Sequence, residues 1–313
     1  MSTISTLRLA GAGAIGAVAL LAACSDSTGP TRPESLAHAI PSRPAAALGA
    51  ISDMIVFERR ENGGAANIFI VNPDGTGLTN IGAGEMPSWS PDHSKIVFVS
   101  SRHVHVMNAD GTGKRALTSF PTTSQSPSFS PDGQKIVFVR IDARDRSDIF
   151  TVNVDGTNEQ VLVKSPNADE VTPRLSPDGT KLAYTRFRRD VAEMVVQDLA
   201  TGRRTILGGT PAPQVFPAWS PDGKRLAFST NSGSAADCIA IVNADGTNRK
   251  NFPSGVQGCI SPSWSPDGTE LAFVSTKPGQ TSVFRGKVDV AGPATNITPL
   301  APNVADLTPV WSR

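Results

Sequence analysis

Pro87-Ser88-Trp89-Ser90-Pro91-Asp92-His93 decides the fold, because the phrase comes back down the chain. It returns as Pro127-Ser128-Phe129-Ser130-Pro131-Asp132-Gly133, Pro173-Arg174-Leu175-Ser176-Pro177-Asp178-Gly179, Pro217-Ala218-Trp219-Ser220-Pro221-Asp222-Gly223 and Pro262-Ser263-Trp264-Ser265-Pro266-Asp267-Gly268. Pro309-Val310-Trp311-Ser312 is a shortened last copy. The central aromatic or Leu advances by 40, 46, 44, 45 and 47 residues. A period in the forties means one supersecondary unit stacked many times, here the blades of a propeller.

Each unit reads as a four-stranded sheet. After the Ser-Pro-Asp-Gly turn comes a short run such as Ile96-Val97-Phe98-Val99 or Leu271-Ala272-Phe273-Val274, apolar on both faces. Sheets packed between two neighbours have that pattern, whereas a sheet with one wet face alternates. A second run follows, as at Ile68-Phe69-Ile70-Val71, and then a second turn, Asn-x-Asp-Gly-Thr, at Asn72–Thr76, Asn108–Thr112, Asn153–Thr157 and Asn243–Thr247. Pro presets φ in the first turn, and Gly supplies positive φ in both.

The first unit lacks its opening phrase, and the last phrase lacks its strands. The expectation is therefore an all-β, six-bladed propeller over residues 51–313, closed by Pro309–Ser312 as the innermost strand of the first blade. Joining ends about 255 residues apart costs roughly 5 kcal/mol of loop entropy. Burying one Trp of about 200 Å² returns roughly 5 kcal/mol, and ladder hydrogen bonds tip the balance.

The recurring order of phrase, strand and Asn-x-Asp-Gly-Thr turn resembles the TolB-type propeller repeat over about residues 51 to 313. The resemblance implies a binding module. The family's type member carries a further N-terminal α/β domain with no counterpart in these residues, so a Tol–Pal role is not carried over. Met1–Ala23 reads as a secretory signal, with Arg8 followed by an Ala/Gly/Leu-rich stretch. Leu21-Ala22-Ala23-Cys24 resembles a bacterial lipobox, which makes Cys24 the expected lipidated residue. Ser25 behind it implies, by resemblance to enterobacterial sorting, outer-membrane delivery facing the periplasm. Residues 24–50, rich in Pro, Ser, Thr and Ala, read as a flexible tether. The formal net charge of +1 argues against a nucleic-acid partner.

Candidate chemistry is sparse. The repeated aspartates of both turns read as caps of their own turns rather than a ligand ring. His93, His103 and His105 fall in one blade, and His38 in the tether, so no metal site is expected. Gly111-Thr112-Gly113-Lys114 has the wrong spacing for a phosphate loop, and no nucleophile–base pair or cofactor motif stands out. No cofactor and no enzymatic activity are expected. Cys238 and Cys259 fall at the same end of the propeller, in a compartment that permits a disulfide, and are expected to form one. The connections at that end are irregular, which is where recognition sits on a rigid frame. Arg140, Arg144, Arg146, Arg186, Arg188 and Arg189 are the expected partner-binding patch, and Glu85, Asp169, Glu170 and Asp306 the expected carboxylates of the channel rim. The reading is a monomeric, membrane-tethered module that binds an envelope protein. The alternatives are a carbohydrate or small ligand at the channel mouth, and a metal-assisted lyase or hydrolase.

Overall fold

The computed structural model describes residues 53–312 except 120, 189–190, 208–212, 231–237, 257, 278–279, 291 and 299–302. Residues 1–23, read above as a signal, Cys24, the expected tether and Arg189 lie outside the described residues.

The described chain is all strand. It begins with β1 (Ile55–Glu61), β2 (Asn67–Val71) and β3 (Thr79–Ala83). Four sheets of four strands follow. They comprise β4 (Glu85–Trp89), β5 (Lys95–Ser100), β6 (His103–Asn108) and β7 (Arg115–Ala116); then β8 (Thr123–Phe129), β9 (Lys135–Ile141), β10 (Ser147–Asn153) and β11 (Gln160–Val163). Next come β12 (Asp169–Leu175), β13 (Lys181–Arg188), β14 (Val191–Asp198) and β15 (Arg204–Leu207); then β16 (Gln214–Trp219), β17 (Arg225–Thr230), β18 (Ile239–Asn243) and β19 (Lys250–Asn251). The last strands are β20 (Cys259–Trp264), β21 (Glu270–Lys277), β22 (Gln280–Lys287), β23 (Thr295–Asn296) and β24 (Val304–Trp311). They join β1, β2 and β3 in one eight-stranded sheet, whose two antiparallel halves meet through the parallel pair Thr281 and Ala305.

The phrase-bearing strands lie against one another in a circuit. β4 touches β8, β8 touches β12, β12 touches β16, β16 touches β20, β20 touches β24, and β24 returns to β4. This is a propeller arrangement, with the phrase-bearing strands innermost. The apolar runs behind the first turn are buried throughout, including Phe57, Phe98, Phe138, Tyr184, Phe228 and Phe273. Each packs between its own sheet and the preceding one in the ring. Trp219 Nε1 donates to the Arg174 carbonyl oxygen of the preceding sheet, and Trp264 Nε1 to that of Ala218, each at 3.0 Å.

The two ends of the chain are stitched together. β24 pairs antiparallel with β1, setting Trp311 opposite Ile55. Trp311 is buried and its Nε1 donates to Asp53 Oδ1 at 2.5 Å, while Met54 N donates to Ser312 Oγ at 2.8 Å.

Every innermost strand carries a bulge that the repeat does not announce. The residue before the phrase's Pro has positive φ each time: Met86 50°, Ser126 50°, Thr172 53°, Phe216 58°, Ser261 54° and Thr308 48°. The register with the next strand shifts at the same place, as between Glu85 and Ser88 or Val171 and Arg174. A residue before Pro ordinarily stays extended, so the sequence predicts a plain strand here. The bulge inserts an extra residue and bends the strand, and it accommodates a Pro that cannot donate to a ladder.

Candidate functional site

The two ends of the propeller differ, and the turns explain one of them. In each Ser-Pro-Asp turn the Ser hydroxyl donates to the Asp carboxylate, from Ser90 to Asp92 at 2.6 Å through Ser265 to Asp267 at 2.6 Å. The backbone amide two residues past the Asp donates to the same carboxylate, as Thr180 N does to Asp178 at 3.0 Å. These bonds hold Asp92 and Asp178 at about 2, below the usual carboxylate range, with the Ser hydroxyl the largest cause. In the Asn-x-Asp-Gly-Thr turns the Thr hydroxyl bonds Asp74, Asp110, Asp155 and Asp245, and the Asn amide donates to that hydroxyl. The aspartates of this end are thus engaged in their own turns. His93 takes the Gly position with φ of 58°.

At the opposite end lie the hairpins between second and third strands and the starts of the innermost strands. The expected arginines divide here into two kinds. Arg140 lies 4.7 Å from the Phe150 ring centroid and pairs with Glu159. Arg146 pairs with Asp142 at 2.8 Å within its own hairpin, and Arg186 with Glu193 at 2.7 Å across β13 and β14. Arg144 and Arg188 are exposed and form no ion pair among the described residues. Half of the expected patch is therefore neutralised: Asp142 and Glu193 lie in the hairpins of their own arginines, and the connection before β11 brings Glu159 to Arg140.

The four carboxylates separate as well. Glu85 is partly exposed and takes Arg60 Nη2 at 3.1 Å. Asp169 Oδ1 accepts the Ser147 amide at 2.8 Å and so ties β12 to the sheet before it. Glu170 and Asp306 are fully buried, which corrects their expected placement on an open rim. They occupy the same position, three residues before the phrase's Pro, where the innermost strand turns its side chain into the seam. Asp306 accepts Arg59 Nε at 2.6 Å and Nη2 at 2.9 Å. Glu170 stands opposite Arg186 in register, yet Arg186 bonds Glu193 instead. Burial pushes the Glu170 carboxyl upward, and nearby Asp148 adds to the rise.

Sequence reasoning passed over a cluster beside these groups. Glu58 accepts Arg60 Nε at 2.7 Å and the Met86 amide of the next sheet's bulge at 3.1 Å. Burial raises its carboxyl, and the Arg60 charge works against that. Arg60 bridges Glu58 and Glu85. The available signal was a run of charge, Glu58-Arg59-Arg60-Glu61, continuing a strand whose other copies are apolar or neutral at the first of these positions.

Cys238 and Cys259 are joined as a disulfide with Cα atoms 5.1 Å apart, at this same end. His103 is buried, and His105 Nδ1 lies 3.0 Å from the His103 carbonyl oxygen with its ring against Phe98. Burial lowers the His105 pKa. Among the described residues, no group of three or more His, Cys, Asp or Glu side chains is placed to hold a metal ion. The arrangement offers a ring with one end whose turn aspartates are held by their own turns, and one irregular end where Arg144 and Arg188 are exposed with no ion pair among the described residues.

Comparison with known proteins fits this geometry. The family model described as the TolB beta propeller domain matches residues 141–312, more than half of the chain. The chain is 39% identical over 59 residues to a Tol-Pal system protein TolB from Xanthomonas oryzae, covering 19% of this chain and 13% of that one. A Tol-Pal system protein TolB from Coxiella burnetii is 44% identical over 59 residues, again with 19% and 13% covered. The match thus spans only a small part of the length of these curated relatives. Among solved structures, TolB from Acinetobacter baumannii superposes with a TM-score of 0.73 at 21% identity, covering 84% of this chain and 67% of that one. An oligogalacturonate lyase in complex with manganese superposes with a TM-score of 0.53 at 17% identity, covering 79% and 74%. At such identities the structures show the fold alone.

Proposed function

The chain belongs to the TolB β-propeller family, and from that premise we propose that it is a six-bladed, protein-binding module of the bacterial cell envelope. The count of six rests on taking the two halves of the eight-stranded sheet as separate blades, and the circuit of innermost strands supports it. In this reading, lipid on Cys24 and the tether of residues 24–50 hold the propeller at the outer membrane, facing the periplasm. The Leu21-Ala22-Ala23-Cys24 stretch supports the anchor. The names of the curated relatives support an envelope setting, and 59 shared residues support no finer partner.

The observation that carries the binding reading is the asymmetry of the two ends. The aspartates of the Ser-Pro-Asp and Asn-x-Asp-Gly-Thr turns are held by their own turns, while the other end exposes Arg144 and Arg188 on irregular hairpins, without ion-pair partners among the described residues. Side chains already committed to a turn have little left to offer a partner.

Cross-linking followed by purification from envelopes tests this. An Arg144→Glu/Arg188→Glu variant is expected to lose the partner recovered with the unaltered chain, and an Asp132→Asn variant at the turn end to keep it. Retention by the arginine variant removes the assignment. The anchor has its own test: a Cys24→Ser variant is expected to leave the membrane fraction, and its continued sedimentation with membranes sinks the lipid proposal.

A further inference from the structure

The outer rim of the propeller is guarded unevenly. An exposed sheet edge is a template for another strand, and proteins blunt it with short or charged edge strands. Here β7, β19 and β23 are two residues each, Arg-Ala, Lys-Asn and Thr-Asn. The outer strands β11 and β15 are four residues each. Four large hydrophobic side chains are exposed among the described residues: Val161 at 52%, Val191 at 52%, Ile206 at 48% and Val290 at 58%. Val161 and Ile206 sit on β11 and β15, and Val191 opens β14 in the same sheet as β15.

β15 is the most regular of the longer outer strands, since β3, five residues long, and β11 each pair through an irregularity. It pairs with β14 without a shift, from Arg204 opposite Gln197 to Leu207 opposite Met194. Among the described residues nothing pairs with its outer edge. Its charge is one-sided. Arg203 and Arg204 are exposed, and Arg204 donates to the neutral Gln197 side chain at 3.0 Å. The carboxylates of this sheet nearest the edge are engaged elsewhere: Glu193 by Arg186, and Asp198 by the Thr201 amide and hydroxyl.

From these placements we propose that β15 is a docking edge for an extended acidic peptide, which adds to the sheet as a further antiparallel strand. Side chains alternate with period two, so Arg204 and Ile206 share one face. An antiparallel partner therefore presents a β-branched residue opposite Ile206 and, two positions later, a carboxylate opposite Arg204, with a second carboxylate opposite Arg203. The pattern read from its N-terminus is Val-x-Glu-Glu. Main-chain hydrogen bonds supply affinity and the alternate side chains supply selection. Reading the strand in the other direction puts carboxylate against Ile206 and Val against Arg204, so order alone discriminates. This site is on the rim, apart from the irregular end, and stands or falls independently of the binding reading given for Arg144 and Arg188.

The test uses the full chain and two synthetic peptides, Thr-Val-Thr-Glu-Glu and the reversed Glu-Glu-Thr-Val-Thr, each with blocked ends. The first is expected to bind, and to slow amide exchange at Thr205–Leu207. The reversed peptide is expected to bind at least several-fold more weakly. Arg203→Glu/Arg204→Glu is expected to weaken the first peptide by about tenfold, in line with reversal of two exposed charge pairs. Ile206→Lys, which blunts the edge without touching the core, serves as the second variant and is expected to abolish the exchange protection. Both variants should melt with the unaltered chain. Equal binding of the two peptides, or protection that maps away from β15, overturns the proposal. Protection of Thr205–Leu207 that grows with protein concentration in the absence of peptide also overturns it, because the occupant is then a second copy of the chain.

Discussion

Arg59 and Asp306 meet across 247 residues of chain, locked by two hydrogen bonds of 2.6 and 2.9 Å. The guanidinium lies 4.8 Å from the Phe69 ring centroid and 5.4 Å from that of Phe57. The pair joins the first described strand to the last, inside the sheet that closes the ring. Burial drives the Asp306 carboxyl up even though Arg59 pulls it down. The pair is therefore costly to form and costlier to break. Asp306→Asn strands the guanidinium and is expected to lower stability by about 3–5 kcal/mol. Replacing both partners, Arg59→Met with Asp306→Leu, is expected to restore most of that. Urea melts of the three proteins check it, and a double variant no better than the single one refutes it.

Glu170 provides the matching experiment without a dedicated cation. Its folded pKa is raised, so the contribution of the group to stability is fully present below the unfolded value of 4.5 and is lost as pH rises through the folded value. Glu170→Gln is expected to raise the melting temperature at pH 7 and to leave it unchanged near pH 4. The turn aspartates behave oppositely. Asp178 is held at about 2, so its contribution is present above 3.8 and lost as pH falls through about 2. Asp178→Asn should therefore lower stability at pH 7 and flatten the acid limb. Melting curves from pH 2 to 8 read both signs.

Thr308 combines positive φ with a β-branched side chain, and its buried Oγ1 has no hydrogen-bond partner among the described residues. Thr308→Gly is expected to raise stability by about 1 kcal/mol, since Gly adopts this conformation freely and removes the unmet hydroxyl. The entropy that Gly adds to the unfolded chain limits the gain. A loss of more than about 1 kcal/mol in the same urea melts shows that the side chain packs better than its strain costs.

Cys238 and Cys259 are separated by 21 residues. A cross-link of that span is worth about 3 kcal/mol in the chain-entropy model. Cys238→Ala/Cys259→Ala is expected to lose that amount, and a reducing agent to affect the unaltered chain only. Equal stability of the two proteins under oxidising conditions counts against the bond.

The phrase and its turns were legible because each is settled within a few residues. Ser90 and Asp92 need only each other to fix the turn, and Trp89 and its counterparts repeat at the blade period. The closing strand was legible from what each end lacked. The bulges were hidden because Thr172 and Phe216 are poor candidates for positive φ, and a following Pro argues for extension. Only the packing of neighbouring innermost strands imposes the bend. The arginine group was overread for a related reason. Glu159 is 19 residues from Arg140, and nothing local says that the outer strand returns it to that side chain. Asp306 looked like surface charge until its register placed Arg59 beside it.

The indole of Trp311 and the hydroxyl of Ser312 are fastened to Asp53 and Met54, the first described residues. Tension applied to the leading part of the chain is thus delivered straight to the fastening, ahead of every interior strand. The first contacts to meet such a pull are two side chains of the last described residues, with the β1–β24 ladder and the Arg59–Asp306 pair behind them.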